Sequence, residues 1–446
     1  IQWAQQAVVG NFTQEDAPNY QEMLRCTHCG LCLDQCPTYR LLGVEADSPR
    51  GRIYQMRAIA EGRYEVTADF AEHMNICLAC RACETACPAH VRFGQLVEAA
   101  RWQAAASLPR GWRECFLRYL VLQQLIPHPT RLRIAACLLW LYQHVGLQAL
   151  ARQSGLLSRI WPGAAQAEAI APLLSGRFLH PAQNQFYLAR SRARALVALF
   201  SGCIMPLVYG ETNAATVRVL QYNGCHVLIT AGQVCCGAIH AHAGERPLAK
   251  ELARRNIDAF LQEKVDAIIV NAAGCGVMLK EYGDLLHNDP EYAEKARAFS
   301  AKVKDVSEFL FELGPVAPRG EVRVRATYQD ACHLAHGQDI RRQPRALLNS
   351  VPGLELVEMQ ASDQCCGSAG IYNLLRPEFA RRILREKMEH IAATGPQVIV
   401  SANPGCMIQL EMGCREMGLL IPVVHLMDLL DRAYRGYVEY PPDHDG

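Results

Sequence analysis

The sequence predicts a mixed α and α/β protein: a small helical N-terminal domain, a helical connector, then a pseudo-two-fold pair of α/β cysteine-rich units. Three observations predict it. The run CTHCGLCLDQCP at residues 26–37 returns with the same cysteine spacing as CLACRACETACP at residues 77–88. In the second half, six cysteine segments form two sets of three in the same order. Around those segments, apolar runs of strand length alternate with helical patterns, which implies parallel βαβ units. The expected divisions are 1–105, 106–190, 191–315 and 316–446.

A chain of 446 residues, half of them apolar, has room for two to four domains. Lys plus Arg number 45 against 44 Asp plus Glu. That balance lacks the basic excess that phosphate binding requires, so no nucleic-acid partner is expected. No signal peptide is readable after Ile1. Twenty cysteines would be sparse for a small secreted disulfide scaffold, and their Cys-x-x-Cys clustering points to metal or redox sites in a cytoplasmic protein.

Residues 1–105 come first. Cys26, Cys29, Cys32 and Cys36-Pro37 follow the bacterial ferredoxin spacing C-x2-C-x2-C-x3-C-P, as do Cys77, Cys80, Cys83 and Cys87-Pro88. A chain looping round a cubane can offer a thiolate every third residue, and the fourth cysteine reaches the neighbouring cluster. The segment is therefore read as a helical, ferredoxin-like domain with two [4Fe–4S] clusters. Cluster one takes Cys26, Cys29, Cys32 and Cys87; cluster two takes Cys77, Cys80, Cys83 and Cys36. Zinc knuckles also use Cys-x-x-Cys pairs, but have no need of four cysteines in one run with a trailing proline. His28 is read as a spacer. SPRGRIYQMRAIAEG, residues 48–62, reads as a helix with Ser48 as N-cap and Pro49 in the first turn. Arg50 and Arg52 fall near the clusters, where they either raise the potentials or are simply solvated.

Residues 106–190 hold no cysteine cluster and read mostly as helix. LRIAACLLWLYQHVGLQAL, residues 132–150, is the most apolar stretch, yet it carries Arg133, Gln143, His144 and Gln148 and is not expected to span a membrane. A helix packed on the core or a partner subunit is favoured over one lying on a membrane surface. Residues 171–194 read as an extended linker.

In the third and fourth segments, LFSGCIMP (Cys203), GQVCCGAIHAHAG (Cys235, Cys236) and NAAGCGVMLKEYG (Cys275) match YQDACHLAHG (Cys332), SDQCCGSAGIYN (Cys365, Cys366) and ANPGCMIQLEMG (Cys406). Thirty-one residues separate Cys203 from Cys235, and thirty-two separate Cys332 from Cys365. These eight cysteines fall just past strand ends, the edge where parallel sheets build their sites. They are the candidate for an additional iron–sulfur site. Cys115, Cys137, Cys225 and Cys414 stand outside the repeats and are read as buried core fillers.

The doubled runs followed by two Cys-Cys-Gly repeats resemble the iron–sulfur subunit family of glycolate oxidase, with relatives in anaerobic glycerol-3-phosphate dehydrogenase and lactate-oxidising complexes. The resemblance covers about residues 20–430 and rests on CPTYRLLG, SPRGRIY, GCGVMLKEYG, CCGSAG and ANPGC. It implies FAD-bearing partner subunits that oxidise a 2-hydroxy acid, with electrons passing through this chain to a quinone or other carrier. One departure stands out. Heterodisulfide reductase subunits of the same superfamily end each repeat Cys-x-x-Cys, whereas here Met278 and Gln409 occupy the last position. Each repeat keeps four of the five ligands, so heterodisulfide chemistry is not expected.

No dinucleotide fingerprint, nucleophile elbow or H-E-x-x-H is present. The chain is read as an electron-transfer subunit, cytoplasmic or peripheral at the inner membrane face, and not catalytic alone. The alternative is a self-sufficient reductase with substrate or quinone at the Cys-Cys-Gly crevice. His240, His242, His333 and His336 would then donate protons; their ordinary role would be hydrogen bonding around the site.

Overall fold

The computed structural model describes residues 10–13, 15–155, 159, 162–174, 176 and 184–436. Most of the expected linker before residue 184 therefore lies outside the described residues, as do the two ends of the outer segments.

Short helices wrap the two cysteine runs. The helix expected after the first run forms over Pro49–Ala60, with Ser48 Oγ accepting the Gly51 N–H at 3.0 Å and Pro49 opening the first turn. Helices Ala68–Asn75 and Phe93–Ser107 close over it, and Met56, Ile59, Phe70, Met74, Leu96 and Val97 fill the common core.

Two sheets follow. The first contains β1 (Gln185–Tyr187), β2 (Ala195–Phe200), β3 (Cys225–Ile229), β4 (Ala267–Val270) and β5 (Val303–Asp305), in the order β1-β3-β2-β4-β5. The second contains β6 (Val324–Tyr328), β7 (Leu354–Leu356), β8 (Val398–Ser401) and β9 (Val423–His425), in the order β7-β6-β8-β9. Leaving β1 aside, both run second-first-third-fourth, and all these pairings are parallel. The registers match too: Val197 lies opposite Val227 and Ala267, and Ala326 opposite Leu356 and Val398. β1 is the exception, an antiparallel edge strand formed by residues expected to be linker.

The repeats share one core. Val197, Leu199 and Val227 of the first meet Ala326, Tyr328 and Val400 of the second, between helices Gly210–Tyr222 and Leu426–Arg435. Strand-length apolar runs with both faces covered need no polar alternation, which is why the sequence shows continuous runs here. Equivalent capping boxes start the helices after the last strands: Asp305 with Glu308, and His425 with Asp428.

His425 makes part of this interface sensitive to acid. Its buried ring accepts the Met427 N–H at Nδ1 and donates from Nε2 to the Asn271 carbonyl of the first repeat at 2.8 Å. Burial lowers it to about 4. The fold holds the neutral ring, so this contribution is complete above the unfolded value of about 6.5 and fades as pH falls toward the folded value. The stability difference between wild type and His425→Gln is expected to shrink by about 3 kcal/mol from about pH 7 to about pH 4, measured by denaturant titration.

Candidate iron–sulfur sites

The doubled sequence is doubled in backbone. His28 and Ala79, before the second cysteine of each run, have φ of +56° and +52°; Gly30 and Arg81, after it, have +87° and +63°. These left-handed turns fold each run back so that its first three cysteines face one side. The fourth cysteine leaves for the other run. Cys26, Cys29, Cys32 and Cys87 line one cavity, with Cys83 on its wall. Cys36, Cys77, Cys80 and Cys83 line its neighbour. The Ala79 N–H points at Cys77 Sγ at 3.3 Å, and Thr38 Oγ1 lies 3.2 Å from Cys36 Sγ. Burial pushes the Cys32 thiol up to about 11 and drives Cys80 and Cys83 far above their ordinary value.

Arg52 and Arg81 line the second cavity and Arg50 the first. Arg52 is not a solvated surface residue: it is completely buried, donating to the His73 carbonyl at 2.6 Å and Thr38 Oγ1 at 3.1 Å, and pairing with Asp47 at 3.4 Å. Arg50 is half-buried and holds Glu45 and the His28 carbonyl. Arg81, inside the second run, makes a two-pronged pair with Glu281 of the first repeat, both contacts at 2.7 Å. Gly94 leaves room for it, since a Cβ there would lie 2.5 Å from Arg81 Nε. Arg101 is buried on the Phe93–Ser107 helix and donates only to carbonyls: Met74, Cys77 and His242. Among the described residues it forms no ion pair. Burial depresses its basicity.

The eight repeat cysteines fall into two groups of four. In the first, Cys203 Sγ lies 3.6 Å from Cys235 Sγ and Cys236 Sγ 3.3 Å from Cys275 Sγ; the Gly237 N–H faces Cys235. This group packs against Leu122 and Ile126 of the connector. In the second, Cys365 adjoins Cys332 and Cys366, and Cys366 adjoins Cys406. The Gly367 N–H faces Cys365 at 3.4 Å, and Asn403 Nδ2 donates to Cys406 Sγ at 3.4 Å. Cys366 is pulled well down, held by Cys365 and Cys406 and helped by buried Lys387. Lys387 Nζ donates to the Ala361 and Ser362 carbonyls at 2.7 and 3.1 Å, with no carboxylate partner among the described residues. Ile257 occupies the corresponding place in the first repeat. Gln409, at the position of the missing fifth ligand, is buried with its Nε2 unpartnered, while its Oε1 accepts from Asn373.

The second group touches the second run. Cys80 shares an apolar cluster with Cys365 and Cys332, and its thiol feels Cys332 more strongly than Cys77 or Cys36. His333 Nε2 donates to the Ala79 carbonyl at 2.9 Å, and the Tyr372 hydroxyl to the Ile76 carbonyl at 3.0 Å. His336 Nε2 donates to the Asp363 carbonyl, and its Nδ1 accepts from Thr85. His240 donates to the Leu122 carbonyl; His242 stands 3.0 Å from Glu98 and edge-on to His333. All four histidines tie segments together at the sites. Burial, with His242 and Arg81 nearby, lowers His333 to about 3. Cys225 and Cys414 are buried as expected, but Cys115 and Cys137 are exposed on the connector and fill no core.

Arg52 was placed near the clusters from sequence; Arg101 and Lys387 were not singled out, yet each had a signal. Buried Phe93, Val97, Ala100 and Ala104 put Arg101 on their helix's apolar face; Ala380, Ile383, Leu384, Met388 and Ile391 do the same for Lys387. A cation on a core-facing stripe needs an anion inside.

The donor set says what that anion is. The second cavity and the second-repeat group gather buried thiols beside a buried cation, Arg101 or Lys387, that has no carboxylate partner among the described residues. An iron cluster held by thiolates carries the negative charge that both require.

Comparison with known proteins agrees. Residues 22–91 match a 4Fe-4S dicluster domain, residues 113–171 the linker region of the glycolate oxidase iron–sulfur subunit, and residues 197–280 and 326–411 a cysteine-rich domain. A "Probable glycolate oxidase iron-sulfur subunit" of Bacillus subtilis is 42% identical over 92% of this chain and 94% of its own length. The glycolate oxidase iron–sulfur subunit of Escherichia coli is 35% identical over 92% and 93%. Lactate utilization protein A of Oceanobacillus iheyensis is 29% identical over 54% of this chain and 98% of its own length. Dicluster segment, connector and paired cysteine-rich domains thus stand in one order with such relatives over nearly the whole chain, and the protein belongs to the glycolate oxidase iron–sulfur subunit family.

Proposed function

We propose that this chain carries electrons within a multi-subunit, flavin-dependent 2-hydroxy-acid dehydrogenase of the glycolate type. FAD on partner subunits takes electrons from the hydroxy acid, and a quinone or other carrier receives them. The chain works in the cytoplasm, peripheral at the inner face of the membrane. Bound [4Fe–4S] clusters would supply one-electron chemistry. Cys26, Cys29, Cys32 and Cys87 hold the first, and Cys77, Cys80, Cys83 and Cys36 the second. Cys332, Cys365, Cys366 and Cys406, with Lys387 beside them, hold a third. The first-repeat group, Cys203, Cys235, Cys236 and Cys275, lacks a comparable buried cation and is assigned no cluster.

One observation carries this reading: the thiols of the second run and of the second repeat press together across the domain boundary, Cys80 beside Cys332 and Cys365. Three thiol groups then lie end to end, with Arg101 and Lys387, which have no carboxylate partner among the described residues, balancing their charge. Three of the four histidines bond carbonyls and His242 faces the Glu98 carboxylate, rather than an open crevice, which favours carriage over substrate reduction.

The anaerobically purified chain is expected to hold about twelve irons and about twelve acid-labile sulfides, four per cluster. Lys387→Met should lower both to about eight while leaving the paramagnetic signals of the other two clusters intact. About sixteen would assign a cluster to each repeat. With an artificial dye, the isolated chain should oxidise no 2-hydroxy acid until flavoprotein is added; activity of the chain alone would overturn the subunit reading.

A further inference from the structure

The connector hairpin is covered on one side only. Helix Trp112–Arg118 runs into a π-helical stretch, Tyr119–Leu125, then helices Pro129–His144 and Leu147–Ser154 follow. The inner side is well packed: Leu122 and Ile126 lie against Val234 and Leu252, and Leu132 and Ala136 against Leu174 and Leu207. The outer side is just as apolar and bare. Trp112 is 74% exposed, Phe116 58%, Leu120 46%, Ile134 56%, Leu138 63% and Leu141 48%. Ile134, Leu138, Leu141 and Val145 recur at helical spacing, so they form one outward stripe. A patch of this kind marks an interaction surface.

Its charge identifies the occupant. From Cys115 to Ala167 the sequence contains no aspartate or glutamate; of its arginines, Arg118 pairs with Glu245 and Arg152 with Glu168, which leaves Arg131 and Arg133 beside the apolar stripe. Arg131 and Arg133, at the head of the apolar stripe, are exposed and form no ion pair among the described residues. Arg113 lies over the exposed Trp112 ring at 5.4 Å. Exposed leucines, an aromatic at the rim and cations of one sign suit an anionic lipid headgroup layer, which supplies apolar depth and negative charge together. The packed inner side holds the hairpin against the protein. No single described helix is long and apolar enough to cross a membrane, and the two apolar helices meet at a 68° bend. The sixteen-residue helix spans only about 24 Å, short of a hydrocarbon core of about 30 Å.

We infer that the outer face of residues 112–150 docks on the surface of an anionic lipid bilayer. The inference extends the peripheral placement proposed above and is independent of the electron-carrying part of that reading.

The test is co-sedimentation of the full, iron-loaded chain with vesicles of pure phosphatidylcholine or of phosphatidylcholine with phosphatidylglycerol. Binding is expected to the anionic vesicles, at least tenfold tighter than to the neutral ones, and to weaken with salt. Leu138→Glu/Leu141→Glu should lower that binding at least tenfold, with iron content and secondary structure unchanged because both side chains face outward. Arg131→Gln/Arg133→Gln should reduce the preference for anionic lipid. The inference fails if neither vesicle is bound, if both are bound equally, or if the leucine variant binds as well as wild type. If the variant instead releases a co-purified flavoprotein while vesicles are never bound, the face belongs to that subunit. Iron content and dye activity, read in the same preparations, report on the electron-carrying proposal separately.

Discussion

An Arg101→Leu variant is expected to lose about 4 kcal/mol of stability and to lower the midpoint potential of the second site. Three carbonyls, from Met74, Cys77 and His242, lose a charged donor in a buried place. Hydrogen bonds to charged groups contribute about 1.5–3 kcal/mol each, and an abandoned buried acceptor adds its own desolvation cost. The electrostatic effect has a definite sign. A buried cation favours the more negative, reduced state, so its loss makes the site harder to reduce. Arg101→Lys keeps the charge but not the three-way reach, and should recover the potential better than the stability. Denaturant titration reads one effect and a redox titration followed by paramagnetic resonance reads the other. Equal potentials in all three proteins would show that Arg101 acts on the fold alone.

Breaking the Arg81–Glu281 pair is the second large effect. Glu281→Gln should cost about 3 kcal/mol, because Arg81 stays buried with its charge no longer matched. The pair joins the second cysteine run to the first repeat, and surface pairs nearby do little to replace it: Arg92–Asp284, Arg40–Glu386 and Arg376–Glu72 are solvent-screened. The loss should therefore appear as a loosened N-terminal domain, seen as faster protease cleavage between residues 105 and 112. Replacing both partners, Arg81→Met/Glu281→Met, should be milder than Glu281→Gln alone. A double variant as unstable as the sum of both singles would mean the two side chains do not work as a pair.

Local chemistry was legible in the sequence; inter-segment chemistry was not. The cysteine spacing, the Ser48 cap and the strand-to-cysteine turns depend on neighbours a few residues apart, and each left its pattern. The 132–150 stretch read as one apolar unit because hydropathy does not register direction, and Gly146 at φ +82° turns the chain there. Cys115 and Cys137 were taken for core fillers since composition alone cannot say which side of an apolar helix is covered. Arg101 and Lys387 were overlooked for a different reason. Each breaks an apolar stripe, and a charge on such a stripe looks like noise until the thiols it serves arrive from another part of the chain. The contact between Cys80 and Cys332 joins positions some two hundred and fifty residues apart, and no spacing rule reaches that far.

The two left-handed turns are alike in shape but not in cover. At the second, Arg81 lies beneath the first repeat and Ala82 is buried; at the first, Gly30 carries no side chain, and Cys29 and Leu31 stand in solvent. The first cavity is thus the more open of the two. An electron donor to a cluster held there would approach a loop at which the Arg50 guanidinium fills the place of a Gly30 side chain, while Cys29 and Leu31 stand open. The cluster proposed at this end is therefore expected to be the first one lost in air.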